Sequence, residues 1–394
     1  MFKWLCRATR PFFIKLFVNF TDEINDKMTI SKIAGVLLLL LSLSLNAGAE
    51  YSSAVATGLT IDTDSLSLVP LLPNDTAAHK KEKSIYIPKF NGTLRARYEY
   101  YTADNVGAFK VRNLRFGLEG HIAPIMTYCG EVEFSDWGKI LLVNAYVRVN
   151  PLKGMAFSMG QLRIPFTIAA HRQPCEEYFS NRPFLAKHAG IRDIGLTGSY
   201  AIPKIPLTVQ GAVFNCSGVG ESKSYFTKTY GFAAKLISAF HDYWYLSAST
   251  AHQKKGTVWM QNWDVGGYFD NGLWHVEAEY LRKNYRHHAF DGVNFYDFFV
   301  YRNFPIEKKN IGSVSGALRY DYMGNHSSGV LTPEGILTID NPECHRITAG
   351  ATLSLKTIFQ ADIRLNYEKY FFGKGVVFDR PEGDRLIFEI IAHF

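Results

Sequence analysis

The sequence of 394 residues is poor in cysteine, with five in all and none in C-x-x-C spacing. Zinc ribbons and thioredoxin-type redox centres need such pairs, so those classes drop out. Long apolar runs are also scarce. Only Ile33 to Leu45 is strongly apolar, and its length falls short of the ~20 residues a membrane helix needs. A bundle of membrane helices is excluded. There is little excess charge of either sign: 43 Lys plus Arg stand against 36 Asp plus Glu, a formal +7. No basic cluster of nucleic-acid-binding type accompanies it, so no nucleic-acid partner is expected. Ser199, Ser217 and Ser247 stand outside any nucleophile-elbow context, and His241, His287 and His288 lack metal-ligand spacing. No catalytic centre, metal or cofactor is expected.

What the chain does have is aromatic side chains and glycine: 22 Tyr, 29 Phe and 32 Gly. Its mean hydropathy is close to zero at −0.07. A membrane β-barrel would average this way, because each strand alternates a lipid-facing apolar residue with a polar lumen residue.

The apolar run at 33–45 fits the core of a signal peptide. Lys32 precedes it, and Ala47, Gly48 and Ala49 follow as small residues of the kind signal peptidase accepts. Residues 1–49 therefore read as a targeting segment with cleavage after Ala49. Met28 is an alternative start that gives a signal of ordinary size, and a single anchoring helix is the rival reading. Losing this segment removes six basic and three acidic residues, lowering the formal charge from +7 to +4. Residues 50–85 lack periodicity and carry the run His79 to Lys83, which reads as a solvated tail in a flexible periplasmic linker.

Residues 86–394 alternate with period two. Leu94, Ala96, Tyr98 and Tyr100 oppose Thr93, Arg95, Arg97 and Glu99. Leu141, Val143, Ala145, Val147 and Val149 oppose Asn144, Tyr146, Arg148 and Asn150. The last run sets Leu386, Phe388, Ile390, Ala392 and Phe394 against Ile387, Glu389 and His393. Soluble strands average five or six residues, whereas most of these runs approach the ~9–11 that cross a bilayer. Aromatics also gather near strand ends, where rings with one wet edge settle. Sixteen runs are expected: 87–101, 109–121, 125–134, 140–149, 154–163, 193–200, 206–214, 229–238, 243–252, 259–270, 273–283, 294–303, 311–323, 345–354, 358–368 and 384–394. Their connections alternate short and long, as periplasmic turns and outer loops do. The stretch 304–310 is long for a turn, and 253–257 is short for an outer loop. The expected fold is all-β: a transmembrane antiparallel barrel of about sixteen strands, with an inward-folded third outer loop over 164–192.

Several short motifs sharpen this. They are Gly160-Gln-Leu-Arg-Ile-Pro-Phe166, Asn181-Arg-Pro-Phe184, Arg192-Asp-Ile-Gly195, Arg319-Tyr-Asp321 and a terminal Phe394. In order and spacing over 86–394 they resemble the phosphate-selective porin O and P family. The resemblance implies a Gram-negative outer-membrane channel, commonly trimeric, for phosphate or other small anions. It also implies partners: membrane lipid and lipopolysaccharide around the wall, and the barrel-assembly machinery reading Phe394.

A channel prefers anions by lining its constriction with cations. The loop offers Arg172, Arg182, Lys187 and Arg192 against Glu176 and Glu177, and these four are the candidate constriction residues. The candidate wall residues are Arg95, Arg97, Arg115, Arg148, Arg319 and Arg364, with Lys235 and Arg346. Glu99, Glu119, Glu131, Glu133, Glu277, Glu279, Asp321, Asp362 and Glu368 nearly cancel them. Each wall Arg either braces the wall through a cross-strand carboxylate or serves permeation. A general or sugar-permeable porin is therefore the alternative, and a barrel hydrolase the remote one. Cys175, Cys216 and Cys344 lie in or beside outer loops, where a disulfide and free thiols are both open.

Overall fold

The computed structural model describes residues 60–61, 68–69, 86–134, 140–190, 192–219, 228–255, 258–329, 331–373 and 383–394. The expected targeting segment and all but four residues of the expected linker lie outside them.

Sixteen antiparallel strands close into one barrel. They are β1 (Lys89–Tyr101), β2 (Val106–Ala123), β3 (Met126–Phe134), β4 (Ile140–Leu152), β5 (Met155–Arg163), β6 (Arg192–Ala201), β7 (Leu207–Phe214) and β8 (Gly231–Phe240). The second half holds β9 (Trp244–Lys255), β10 (Val258–Asp270), β11 (Trp274–Tyr285), β12 (Val293–Lys308), β13 (Ile311–Met323), β14 (Cys344–Leu355), β15 (Gln360–Phe372) and β16 (Arg385–His393). Every strand pairs with its sequence neighbours, and β16 pairs with β1 from Arg385 opposite Tyr101 to His393 opposite Thr93. Phe394 and Gly92 complete that seam by exchanging backbone hydrogen bonds of 2.7 and 3.0 Å. Closure matters because a bilayer offers no partner to an open sheet edge. Among the described residues no helix is long and apolar enough to cross a membrane.

All sixteen expected strands are present. The long stretch at 304–310 resolves because β12 continues to Lys308. The short loop at 253–257 shrinks further, since β9 and β10 extend to Lys255 and Val258. Two facing assignments are corrected, those of Leu141, which stands opposite the inward Glu133, and Val143. Leu142 is exposed and Val143 is buried, because the register opposite Glu131 and Val132 is shifted by a bulge. An extra residue there reverses the alternation for the rest of the strand.

The outer surface is apolar. Leu94, Leu318, Leu365, Phe388 and Ile390 are exposed on it, while Arg95, Glu99, Arg319 and Glu389 on the same strands are buried inside. Aromatic pairs mark both rims. Phe240 stacks on Trp244 near the short turns, and Tyr98 with Phe109 and Tyr280 with Tyr296 lie toward the long loops.

Candidate functional site

The loop after β5 enters the barrel, as expected for the third outer loop. A close approach of strands sets its base. Gly160 on β5 and Gly195 on β6 stand opposite each other. A Cβ on Gly160 would strike the Ala145 carbonyl, and one on Gly195 the Val213 carbonyl. Gly160 also has φ of 137°, a conformation that L side chains rarely adopt. These two motif glycines are needed for β4 to β7 to pack where the loop leaves the wall.

Inside, the loop forms a 3-10 turn at Ala169–His171 and a short helix, α1 (Phe184–His188). Their apolar side chains make a core within the lumen. Phe166, Ala169, Phe184, Leu185 and Ala186 pack against Ala251, Met260, Leu281, Phe295 and Tyr370 from the inner face of β9 to β15. Leu185 and Ala186 are fully buried.

Polar wall residues hold the loop's backbone. Asp321 accepts from Phe184 N (3.0 Å), Asn366 from Ser180 N (2.6 Å), and Glu279 from the amides of Ile168 and Ala169. Wall cations donate to loop carbonyls: Lys235 to Thr167 (2.5 Å), Arg319 to Asn181 (2.9 Å), Arg346 to Arg182 (2.8 Å), Arg364 to Glu177 (2.5 Å) and Arg95 to Ser180 (2.9 Å). A buried loop carries amides and carbonyls that must be satisfied, and alternating wall charges supply both donors and acceptors.

The predicted site residues separate into groups. Arg172 is buried, paired with Glu277 on β11, and its guanidinium lies over the neighbouring rings of Tyr178 and Phe299 at 5.3 and 5.4 Å. Lys187 is exposed on α1. Arg182 pairs with Glu177 at 2.8 Å. Arg192, at the start of β6, donates to Asn144 Oδ1 (3.0 Å) and has no carboxylate in ion-pair contact among the described residues. Arg182 and Arg192 come together with Arg163 and Arg115, and Arg95 adds to the same field around Arg182. Arg163, the last residue of β5, joins this cluster without having been singled out in the sequence. Its place in the Gly160 to Phe166 motif was the available signal. Burial pushes Arg182 down to about 10; Glu177 opposes the shift and Arg163, Arg115 and Arg95 add to it. It stays charged at neutral pH.

On the wall, Arg95 and Arg364 share Glu389 (2.8 and 3.3 Å), Arg97 pairs with Glu99, and Arg115 pairs with Glu131 (3.2 Å) and Glu133. Arg346 pairs with Asp321 (2.6 Å) and Glu368 (3.5 Å), and Arg319 approaches Asp297 and Asp321 at 4.0 and 3.9 Å. Arg148 donates to Ser158 Oγ (3.0 Å). Cys129, Cys175, Cys216 and Cys344 form no disulfide, and burial pushes the Cys175 thiol up to about 11. Ser217 donates to Asp193 (2.9 Å).

No family model and no curated protein matches the sequence. Solved structures do. An anion-selective porin from Comamonas acidovorans aligns with a TM-score of 0.56 at 11% identity, covering 78% of this chain and 99% of that one. The chain has the porin fold. OmpF of Salmonella typhi, solved with daunomycin, aligns with a TM-score of 0.55 at 15% identity over 79% and 99%. The outer membrane channel DcaP of Acinetobacter baumannii gives 0.52 at 14% over 78% and 97%. In this porin fold the loop after β5 occupies the lumen and leans against β8 to β16 and β1. The guanidinium cluster gathers near its exit and return on β5 and β6.

Proposed function

We propose that the protein is a Gram-negative outer-membrane porin for passive diffusion of small anions, phosphate among them. The observation that carries this is the gathering of Arg95, Arg115, Arg163, Arg182 and Arg192 around the loop's base. Among the described residues Arg192 has no carboxylate in ion-pair contact. The loop's apolar core fills the opposite side, so the passage runs along β2 to β6. Solutes crossing there meet the partly exposed Arg182 and Arg192, backed by the buried Arg95, Arg115 and Arg163, and guanidinium forks suit phosphate oxygens. The motif likeness to the phosphate-selective family points the same way, and an anion-selective porin shares the fold. The chain works as a homotrimer in this reading; OmpT of Vibrio cholerae, which shares the fold, is known in a trimer form. Lipid and lipopolysaccharide surround the apolar belt, and Phe394 is the terminal aromatic offered to the assembly machinery.

A second reading is favoured by the ion pairs. Most wall Arg residues are matched by carboxylates, as a general or sugar-permeable porin would allow. Planar-bilayer reversal potentials under a salt gradient separate the two. The anion channel gives an anion-preferring sign that Arg192→Ala and Arg163→Ala reduce. A potential near zero with rapid liposome swelling in neutral sugars establishes the general porin instead.

A further inference from the structure

The outer wall carries a groove that the lumen does not explain. It is an open groove of about 630 Å³ on the lipid side of β11 to β16, walled by Trp274, Val300, Leu318, Leu365 and Tyr367. Its floor is low because the outward residues are small: Gly316, Ala349 and Ala351. A Cβ added to Gly316 would meet no heavy atom within 4 Å. At the end nearer the short turns stands Arg302, level with Trp274 and Gly316 in the strand register. Its guanidinium lies over the Trp274 ring at 4.3 Å and the Phe304 ring at 4.9 Å, and no carboxylate among the described residues pairs with it.

A lipid-facing cation without a counter-ion is costly, by about 2–4 kcal/mol near the bilayer midplane and less toward the interface. Arg302 is therefore a place for an external anion. Among the described residues the outward strand positions around the whole barrel carry no Asp or Glu, so the strand wall of a second copy brings none whichever face it offers. A lipid of the periplasmic leaflet brings both parts: a phosphodiester for Arg302 and an acyl chain for the apolar floor. We propose that this groove is a binding site for an anionic glycerophospholipid of the periplasmic leaflet, with Arg302 on its phosphate, Trp274 beside the headgroup, and one acyl chain over Gly316, Ala349 and Ala351.

The test uses purified folded protein, with phosphatidylglycerol and phosphatidylcholine of matched chains as probes and lipid retention read by native mass spectrometry. Wild type retains phosphatidylglycerol over phosphatidylcholine by roughly tenfold or more, the scale of one charge-assisted contact. Arg302→Leu brings the two lipids level. Gly316→Phe fills the floor and loses both. Heat-modified gel mobility confirms that each variant is folded, and Gly316→Phe has open space to occupy. Equal retention of the two lipids by wild type overturns the proposal, as does undiminished phosphatidylglycerol on both variants. A Gly316→Phe variant that dissociates the oligomer while keeping its lipid also overturns it, and makes the groove a subunit contact.

Discussion

Asp321 shows how much one lumen carboxylate does. It takes two hydrogen bonds from Arg346 (3.0 and 2.6 Å), accepts the Phe184 amide and lies near Arg319. Asp321→Asn keeps the shape and removes the charge that two buried guanidinium groups answer. Breaking a buried pair from one side costs about 3–5 kcal/mol. The expected variant unfolds at lower temperature and has a larger, noisier single-channel conductance, because α1 loses an anchor. Unchanged conductance and melting would show that the loop is held by its apolar core alone. Alternation placed Asp321, Arg95, Arg319 and Arg364 on the lumen side from sequence alone. It could not say that Asp321 takes a loop amide and the three arginines hold loop carbonyls, because those partners lie 85 to 187 positions away. Arg163 went unmarked for the same reason: its significance is its neighbours.

At the scale of elements, the loop and the connection between β13 and β14 meet through two imidazoles. His188 at the end of α1 lies edge-on to His326 with ring centroids 4.4 Å apart, and Phe295 lies beneath both. Burial holds His326 down to about 4 and His188 well below the ordinary range. Lys187, Lys283 and Lys255 oppose protonation, whereas Asp340 favours it at His326. A base depressed in the folded state binds its proton more readily once the contact opens. This contact therefore contributes fully above about pH 6.5 and loses its contribution as pH falls toward 4. Recordings from pH 7 to 4 are expected to show growing closure or noise events, which His326→Phe suppresses. A flat pH response in wild type would rule this out. The strands were legible because a two-residue period survives over thirteen residues. The bulge at Val143 was not, since an inserted residue leaves no mark in the pattern except the slip itself. The seating of the loop was not legible either, because Phe166, Phe184 and Leu185 meet their partners only in the closed barrel.

For the whole molecule, compensated wall charge makes the proposed anion selectivity a short-range property. The Debye length falls from about 10 Å at 0.1 M salt to 3 Å at 1 M. The anion-to-cation permeability ratio is expected to drop toward unity across that range, with the Arg192→Ala variant starting lower and changing less. A ratio independent of salt would place the selecting charges in direct contact with the ion, where the atmosphere cannot reach them.

The seam between β1 and β16 has a consequence for the order of biogenesis. Arg95 holds Glu389 of the last strand through Nε and Nη2, and the same Nη2 donates to the Ser180 carbonyl of the loop. The loop's other holds lie on β1 through Arg97 and on β5 through Arg163, both made before it, and on β8, β9, β11 and β13 to β15, made after it. During synthesis the throat has few partners until the second half of the wall is made, and the final strand adds only the carboxylate of Glu389 behind Arg95. Joining the two ends of the chain therefore seals the cylinder and at the same moment gives one of the loop's arginine holds its counter-ion.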